Sequence, residues 1–175
     1  VNIHSPGPGV GGHCIPLDPW FFVGIKNANV KLLKRALLLN EDKPRFVADL
    51  FVDSAKKRNL TPRKIAIFGV AYKKDVDDAR ETPAYYVATQ LAERGYEVRC
   101  TDPYVKHLSL PLYPQSELLS WADAVVIVTD HTRYRSVSFA RLNIRLVLDT
   151  RNILTLAQRK KLGKACVILG NGKQQ

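Results

Sequence analysis

The sequence predicts an α/β protein: long helices leading into a Rossmann-like, doubly wound parallel sheet. From Arg63 onward, short apolar runs bounded by glycine, proline or aspartate alternate with helical patterns. Strands buried on both faces read this way. Before them, residues 27–58 keep apolar side chains at helical spacing. Ahead of both lies Pro6–Gly12, with four glycines and two prolines in seven residues. Such a stretch excludes regular structure and brings bare backbone close to something.

The opening loop delivers Cys14, with Asp18 four residues later. A single thiol presented by a glycine-rich loop is a candidate nucleophile. The alternative is a tight turn beside an inert cysteine. The chain starts without Met, which it lacks throughout, and Val1-Asn-Ile-His4 runs directly into the loop. A piece of a longer chain is the expectation. Next, Val30, Leu32, Leu33, Ala36, Leu37, Leu38 and Leu39 interleave with Lys31, Lys34 and Arg35 as one helix. Around Asn40-Glu-Asp-Lys-Pro44 that helix should be interrupted or restarted, because a proline disfavours αR at Lys43. Phe46, Val47, Leu50, Phe51 and Ala55 form a second stripe, ending in Lys56-Lys57-Arg58 where a helix C-terminus favours cations. These apolar faces call for a partner, either a second copy or a missing domain.

Ile65–Phe68 is the first buried strand. Thr82-Pro83 reads as N-cap and N1 of a helix with Ala84, Val87, Ala88 and Leu91 on one face and Gly95 at its C′ position. Strands follow at Glu97–Thr101, Ala124–Val128, Arg145–Asp149 and Cys166–Leu169, and the 170–175 tail should fray. Ligands of such sheets bind beyond the carboxyl ends of the strands. Those ends carry Gly69-Val-Ala-Tyr-Lys73, Asp102-Pro-Tyr104, Thr129-Asp-His131 and Asp149-Thr-Arg-Asn152. The dinucleotide fingerprint is missing: one glycine, Gly69, precedes a loop running to Thr82. Lys73, Lys74 and Arg80 lie there beside Asp75, Asp77 and Asp78. Side-chain cations would then meet a phosphate, or the loop is a solvated ion-pair cluster; the residues alone favour the second.

Composition narrows the classes. Three cysteines, widely spaced, argue against a disulfide framework or a structural zinc and favour a reducing cytoplasm. No apolar run is long enough for a membrane span, and no signal-peptide pattern opens the chain. The net charge of +11 suits nucleic acid, but equally suits phosphorylated small molecules. No zinc finger, RNA-binding signature or basic repeat accompanies it, so nucleic acid is not the expected partner.

Gly9-Val-Gly-Gly-His-Cys-Ile-Pro-Leu-Asp-Pro-Trp-Phe21, Asn40-Glu-Asp-Lys-Pro44, Gly69-Val-Ala-Tyr-Lys-Lys-Asp75, Asp78-Ala-Arg-Glu-Thr-Pro83, Asp102-Pro103, Ala122-Asp-Ala124 and Asp149-Thr-Arg-Asn152 occur in this order. The set resembles the C-terminal half of the UDP-glucose/GDP-mannose dehydrogenase family, over roughly residues 5–152. Its Gly-Gly-His-Cys-Ile-Pro-x-Asp-Pro form resembles the branch acting on UDP-N-acetylhexosamines, UDP-N-acetylmannosamine above all, with UDP-N-acetylglucosamine and UDP-glucose as alternatives. A further alternative is a nucleotide-binding fragment without chemistry.

The resemblance implies an NAD-dependent, four-electron oxidation of a sugar C6 alcohol to a carboxylate. Cys14 would carry thiohemiacetal and thioester intermediates, and Asp18 would order or activate water. Ser5, Gly7, Gly9 and Gly11 would wrap the substrate, and Tyr72, Lys73 and Arg151 would hold its UDP end. Cys14, Ile15, Pro16 and Leu17 would lie along NAD, with Arg80 reaching its phosphate or amide side. The implied organisation is a catalytic-Cys loop over 1–26, central dimerisation helices over 27–60 and a UDP-sugar-binding domain over 61–175. The family's N-terminal NAD domain and catalytic Lys–Asn pair are not in these residues, so the chain alone is expected to be inactive. A cytoplasmic homodimer serving polysaccharide biosynthesis, without metal or membrane, completes the expectation.

Overall fold

The computed structural model describes residues 5–26, 28–141 and 143–170. The expectations for the opening Val1–His4 and for all of the tail but Gly170 lie outside them. Five strands, β1 (Lys64–Phe68), β2 (Glu97–Thr101), β3 (Ala124–Ile127), β4 (Leu146–Asp149) and β5 (Cys166–Ile168), form one sheet in the order β2-β1-β3-β4-β5. Every pairing is parallel, with Ile65 opposite both Val98 and Ala124. This is the doubly wound α/β architecture that the alternation of apolar runs predicts.

The pleat sends alternate residues to opposite faces. Ile65, Ile67, Val126 and Leu148 pack beneath α2 (Lys31–Lys57) and α3 (Pro83–Glu93). Ala66, Phe68, Val125, Ile127 and Val147 meet α4 (Gln115–Trp121), α5 (Leu156–Leu162) and the 3₁₀ turn Thr132–Ser136. That turn and the irregular stretch after it stand where a crossover helix between β3 and β4 is the usual solution; Tyr134 and Phe139 fill its place by packing on Phe68. As the sequence predicts, Thr82 caps α3, its Oγ1 accepting the Ala84 N–H at 3.2 Å, and Gly95 follows the helix at φ +87°. A short helix, α1 (Pro19–Val23), precedes α2.

One expectation fails at Pro44. The helix runs unbroken from Lys31 to Lys57 with Pro44 inside it and buried. Proline removes one N–H from the ladder, but Val47, Ala48, Phe51 and Ala55 just beyond are buried against α3 and the sheet. Tertiary packing of this kind outweighs a local break signal. The second half of α2 thus finds its cover within the chain. The first half is buried only at Leu37: Leu32 is 84% exposed, and Leu38 and Leu39 are exposed with it, as is Phe46 just past Pro44. Among the described residues no helix is long and apolar enough to cross a membrane.

Candidate functional site

Strand β1 leads through α3 to β2 on one side, and β2 returns through α4 past β1 to β3 on the other. A crevice opens at such a reversal, beyond the carboxyl ends of the two diverging strands. Gly69 ends β1 so close to Thr129 that an added Cβ would sit 2.5 Å from the Thr129 Cβ. The loop that follows is tied down when Thr129 Oγ1 donates to the Ala71 carbonyl at 2.6 Å and the Tyr72 N–H donates to the Asp78 carbonyl at 2.9 Å. At the end of β4, buried Asp149 accepts the N–H groups of Arg151 at 3.0 Å and Leu154 at 2.9 Å. That turn aims Arg151 across the crevice, where its guanidinium pairs with Asp130 at 3.2 Å.

The glycine loop closes the other side. Asn40 of α2 holds it with both ends of its amide: Oδ1 accepts the Val10 N–H at 2.7 Å, and Nδ2 donates to the Val10 carbonyl at 2.9 Å. The Gly12 N–H donates to the Arg80 carbonyl at 3.0 Å. At Gly11 an added Cβ would lie 2.5 Å from the Glu81 carbonyl oxygen, and at Gly7 it would strike the Arg151 guanidinium. These glycines are contact surfaces, in keeping with the close approach that their density implies.

Between loop, helix and sheet lies a cleft of about 580 Å³, within the range of small-molecule sites. Its lining includes Ser5, Gly7, Gly9, Gly11, Tyr72, Lys73 and Arg151, the seven residues that the resemblance assigns to substrate. Lys43, Lys74, Asp130, Asn40 and Ile15 also line it. Four cations facing one carboxylate suit an anionic ligand such as a diphosphate, and the Tyr72 ring is 37% exposed, an available flat surface. Asn40, Lys43 and Asp130 were not assigned roles from sequence, and Lys74 entered only as one of the loop cations that would meet a phosphate. Asn40 and Lys43 fall inside a family-like motif, Lys74 and Asp130 at strand ends, so position was the available signal.

Cys14 is exposed, and its carbonyl accepts the N–H groups of Leu17 at 3.2 Å and Asp18 at 2.8 Å. That turn leads into α1, with Asp18 at its N-cap. The residues expected along the cofactor part company. Ile15 faces the cleft, whereas Pro16 and Leu17 line a neighbouring pocket of about 260 Å³ with Trp20, Leu37, Pro44 and Tyr86. Cys14, Asp18 and Arg80 line neither; Arg80 pairs with Asp78, donating from Nε and Nη2 at 3.0 and 2.6 Å. The hydrogen bonds to Arg80 lower the Asp78 pKa, and the same contact raises that of Arg80.

The start of α3 does not suit dinucleotide phosphates. Pro83 supplies no N–H there, and Thr82 already occupies the Ala84 N–H; the amide cradle of an NAD-binding turn is missing at this helix. Near Cys14, by contrast, Ile15 and Leu17 are both exposed and leave apolar surface accessible.

The sequence pattern of the UDP-glucose/GDP-mannose dehydrogenase family, UDP binding domain, matches residues 66–156. A UDP-N-acetyl-D-mannosamine dehydrogenase of Methanocaldococcus jannaschii is 41% identical over 180 residues, covering 99% of this chain and 41% of the relative. Another, of Methanococcus aeolicus, is 39% identical over 181 residues with the same coverage. The chain thus spans about two fifths of the curated relatives it matches. The structure of UDP-D-ManNAc dehydrogenase from Pyrococcus horikoshii superposes with a TM-score of 0.78 at 36% identity, covering 89% of this chain and 38% of that one. With the fold, the ordered motifs and the matched domain in agreement, the chain belongs to the UDP-glucose/GDP-mannose dehydrogenase family and carries its UDP binding domain.

Proposed function

We propose that these residues form the nucleophile loop and UDP-binding half of a nucleotide-sugar 6-dehydrogenase that oxidises UDP-N-acetylmannosamine to its uronic acid. One observation carries the reading: the glycine loop beside Cys14 and the cationic strand ends meet in a single cleft. In it, Lys73 and Arg151 hold the diphosphate, Tyr72 lies along the nucleoside, and Ser5–Gly11 wraps the sugar with backbone.

NAD, held in part along Cys14, Ile15, Pro16 and Leu17, would supply the hydride acceptor for both oxidations. The chain's own part is covalent. Cys14 Sγ, as thiolate, bonds to the aldehyde carbon and holds it as a thiohemiacetal, then as a thioester after oxidation. Asp18 accepts a proton from the water that attacks the thioester; the C–S bond breaks and the thiolate returns. A second copy covers the exposed Leu32, Leu39 and Phe46 of α2, giving a homodimer. Three free thiols suit a reducing cytoplasm.

Titration of the chain with UDP tests the cleft: Arg151→Ala should weaken binding by about tenfold or more, the loss of a charge-assisted contact. Unchanged affinity would remove the cleft from the reading. The nucleophile is tested in the enzyme joined to its NAD domain. Cys14→Ser should cut acid formation by orders of magnitude, and a normal rate to the acid excludes Cys14. Comparison of UDP-N-acetylmannosamine, UDP-N-acetylglucosamine and UDP-glucose as substrates decides the sugar.

A further inference from the structure

Behind the cleft, His131 lies fully buried just beyond the end of β3. Its Nδ1 accepts the Asp75 N–H at 3.0 Å, so Nδ1 carries no proton, since only an unprotonated ring nitrogen accepts. The ring proton therefore sits on Nε2, which donates to Asp102 Oδ2 at 2.8 Å. Asp102, just past β2, is saturated by four more donors: the N–H groups of Val70 and Ala71 on Oδ2 at 2.7 and 3.1 Å, and those of Tyr104 and Val105 on Oδ1 at 2.8 and 3.0 Å. Asp75 reaches back in turn, its carboxylate accepting the Thr132 N–H at 2.8 Å and the Thr132 hydroxyl. The rings of Tyr104 and Tyr134 flank the imidazole at 5.0 and 5.4 Å.

One imidazole thus joins the end of β2, the loop after β1 and the end of β3. The loop needs such support. It turns at Asp75 with φ +56°, a left-handed conformation uncommon for residues other than glycine. Tyr72 and Lys73 lie between that turn and Gly69 and line the cleft. Core filling alone does not account for the arrangement, because a phenyl ring between the two tyrosines would satisfy neither Asp75 nor Asp102.

We infer that His131, as the neutral Nε2–H imidazole, is a positioning residue for the cleft, holding the Gly69–Asp75 turn in the form that presents Tyr72 and Lys73 to the nucleotide. The inference rests on the UDP reading of that cleft. Without the Nδ1 acceptor, the Asp75 N–H is left short of a partner. The turn then samples other forms, and apparent affinity falls with the competent fraction.

Three substitutions separate the two ring nitrogens. His131→Asn keeps an acceptor near the Nδ1 position, His131→Gln keeps a donor near Nε2, and His131→Phe keeps only ring volume. Hydrogen exchange at the Tyr72 and Asp75 amides and titration with UDP are read in the 175-residue chain. Asn should stay near native in both. Gln and Phe should exchange at those amides, and lose UDP affinity, by about tenfold. Should Phe fail to fold, the contrast between Asn and Gln still decides. Lowered melting temperatures with native exchange at the turn and native UDP affinity would overturn the inference, as would a protonated Nδ1 by nitrogen NMR. If the native chain does not bind UDP, the cleft reading fails, and exchange at Tyr72 and Asp75 alone judges His131.

Discussion

Cys14, Cys100 and Cys166 carry the same thiol into three surroundings. Cys100 is buried, and burial pushes its pKa to about 12; half-buried Cys166 is raised for the same reason. Cys14 stands exposed on its loop. Because the thiolate is the reactive form, alkylation at neutral pH should modify Cys14 first, with Cys100 silent until the chain unfolds. Mass spectrometry after brief iodoacetamide treatment checks this, and rapid labelling of Cys100 would contradict the described burial. At this scale the sequence was most informative where a contact is local, as for Thr82 capping α3. It was least informative for Asn40, Asp102 and His131, whose partners lie 30, 32 and 56 positions away. No window of sequence contains such pairs.

Among the elements, the strands were legible because a parallel strand buried on both faces has no polar alternation to blur its limits. Each of the five lies within one or two residues of its apolar run. The continuity of α2 was not legible, because the break signal at Pro44 is local while the packing that overrides it comes from α3 and the sheet. Phe51 is central to that packing, fully buried and edge-on to Tyr96 at 5.7 Å. Phe51→Ala should destabilise the chain by about 3–5 kcal/mol, the range for a buried aromatic cut to Ala. Urea unfolding measures it. A loss under about 1 kcal/mol would mean that α2 is not anchored as described.

For the molecule as a whole, Asp102 ties three strand ends together. Burial alone would raise its pKa, but the His131 bond and the N–H groups of Val105, Tyr104 and Val70 outweigh it and hold the carboxyl below its ordinary value. A carboxyl depressed in the folded state stabilises above its unfolded pKa, about 3.9, and that contribution fades as pH falls through the lower folded value. Asp102→Asn should therefore cost about 1–3 kcal/mol at neutral pH. The gap from the native chain should narrow below about pH 4, as the native carboxyl takes up its proton. Melting curves across that range check both signs; a gap that widens in acid would contradict the assignment.

Helix α2 is a rod clamped at one end. From Val47 on it is embedded in the core, while the stretch from Lys31 to Leu39, where only Leu37 is buried, runs for about 12 Å at 1.5 Å per residue. A cantilever moves most at its free tip and least at its root, and the root is where Asn40 grips Val10. Swinging of the tip, free or against a partner, therefore reaches the glycine loop strongly reduced. The wall of the cleft keeps its alignment with the strand ends while the far end of the same helix remains free to adjust to whatever it meets.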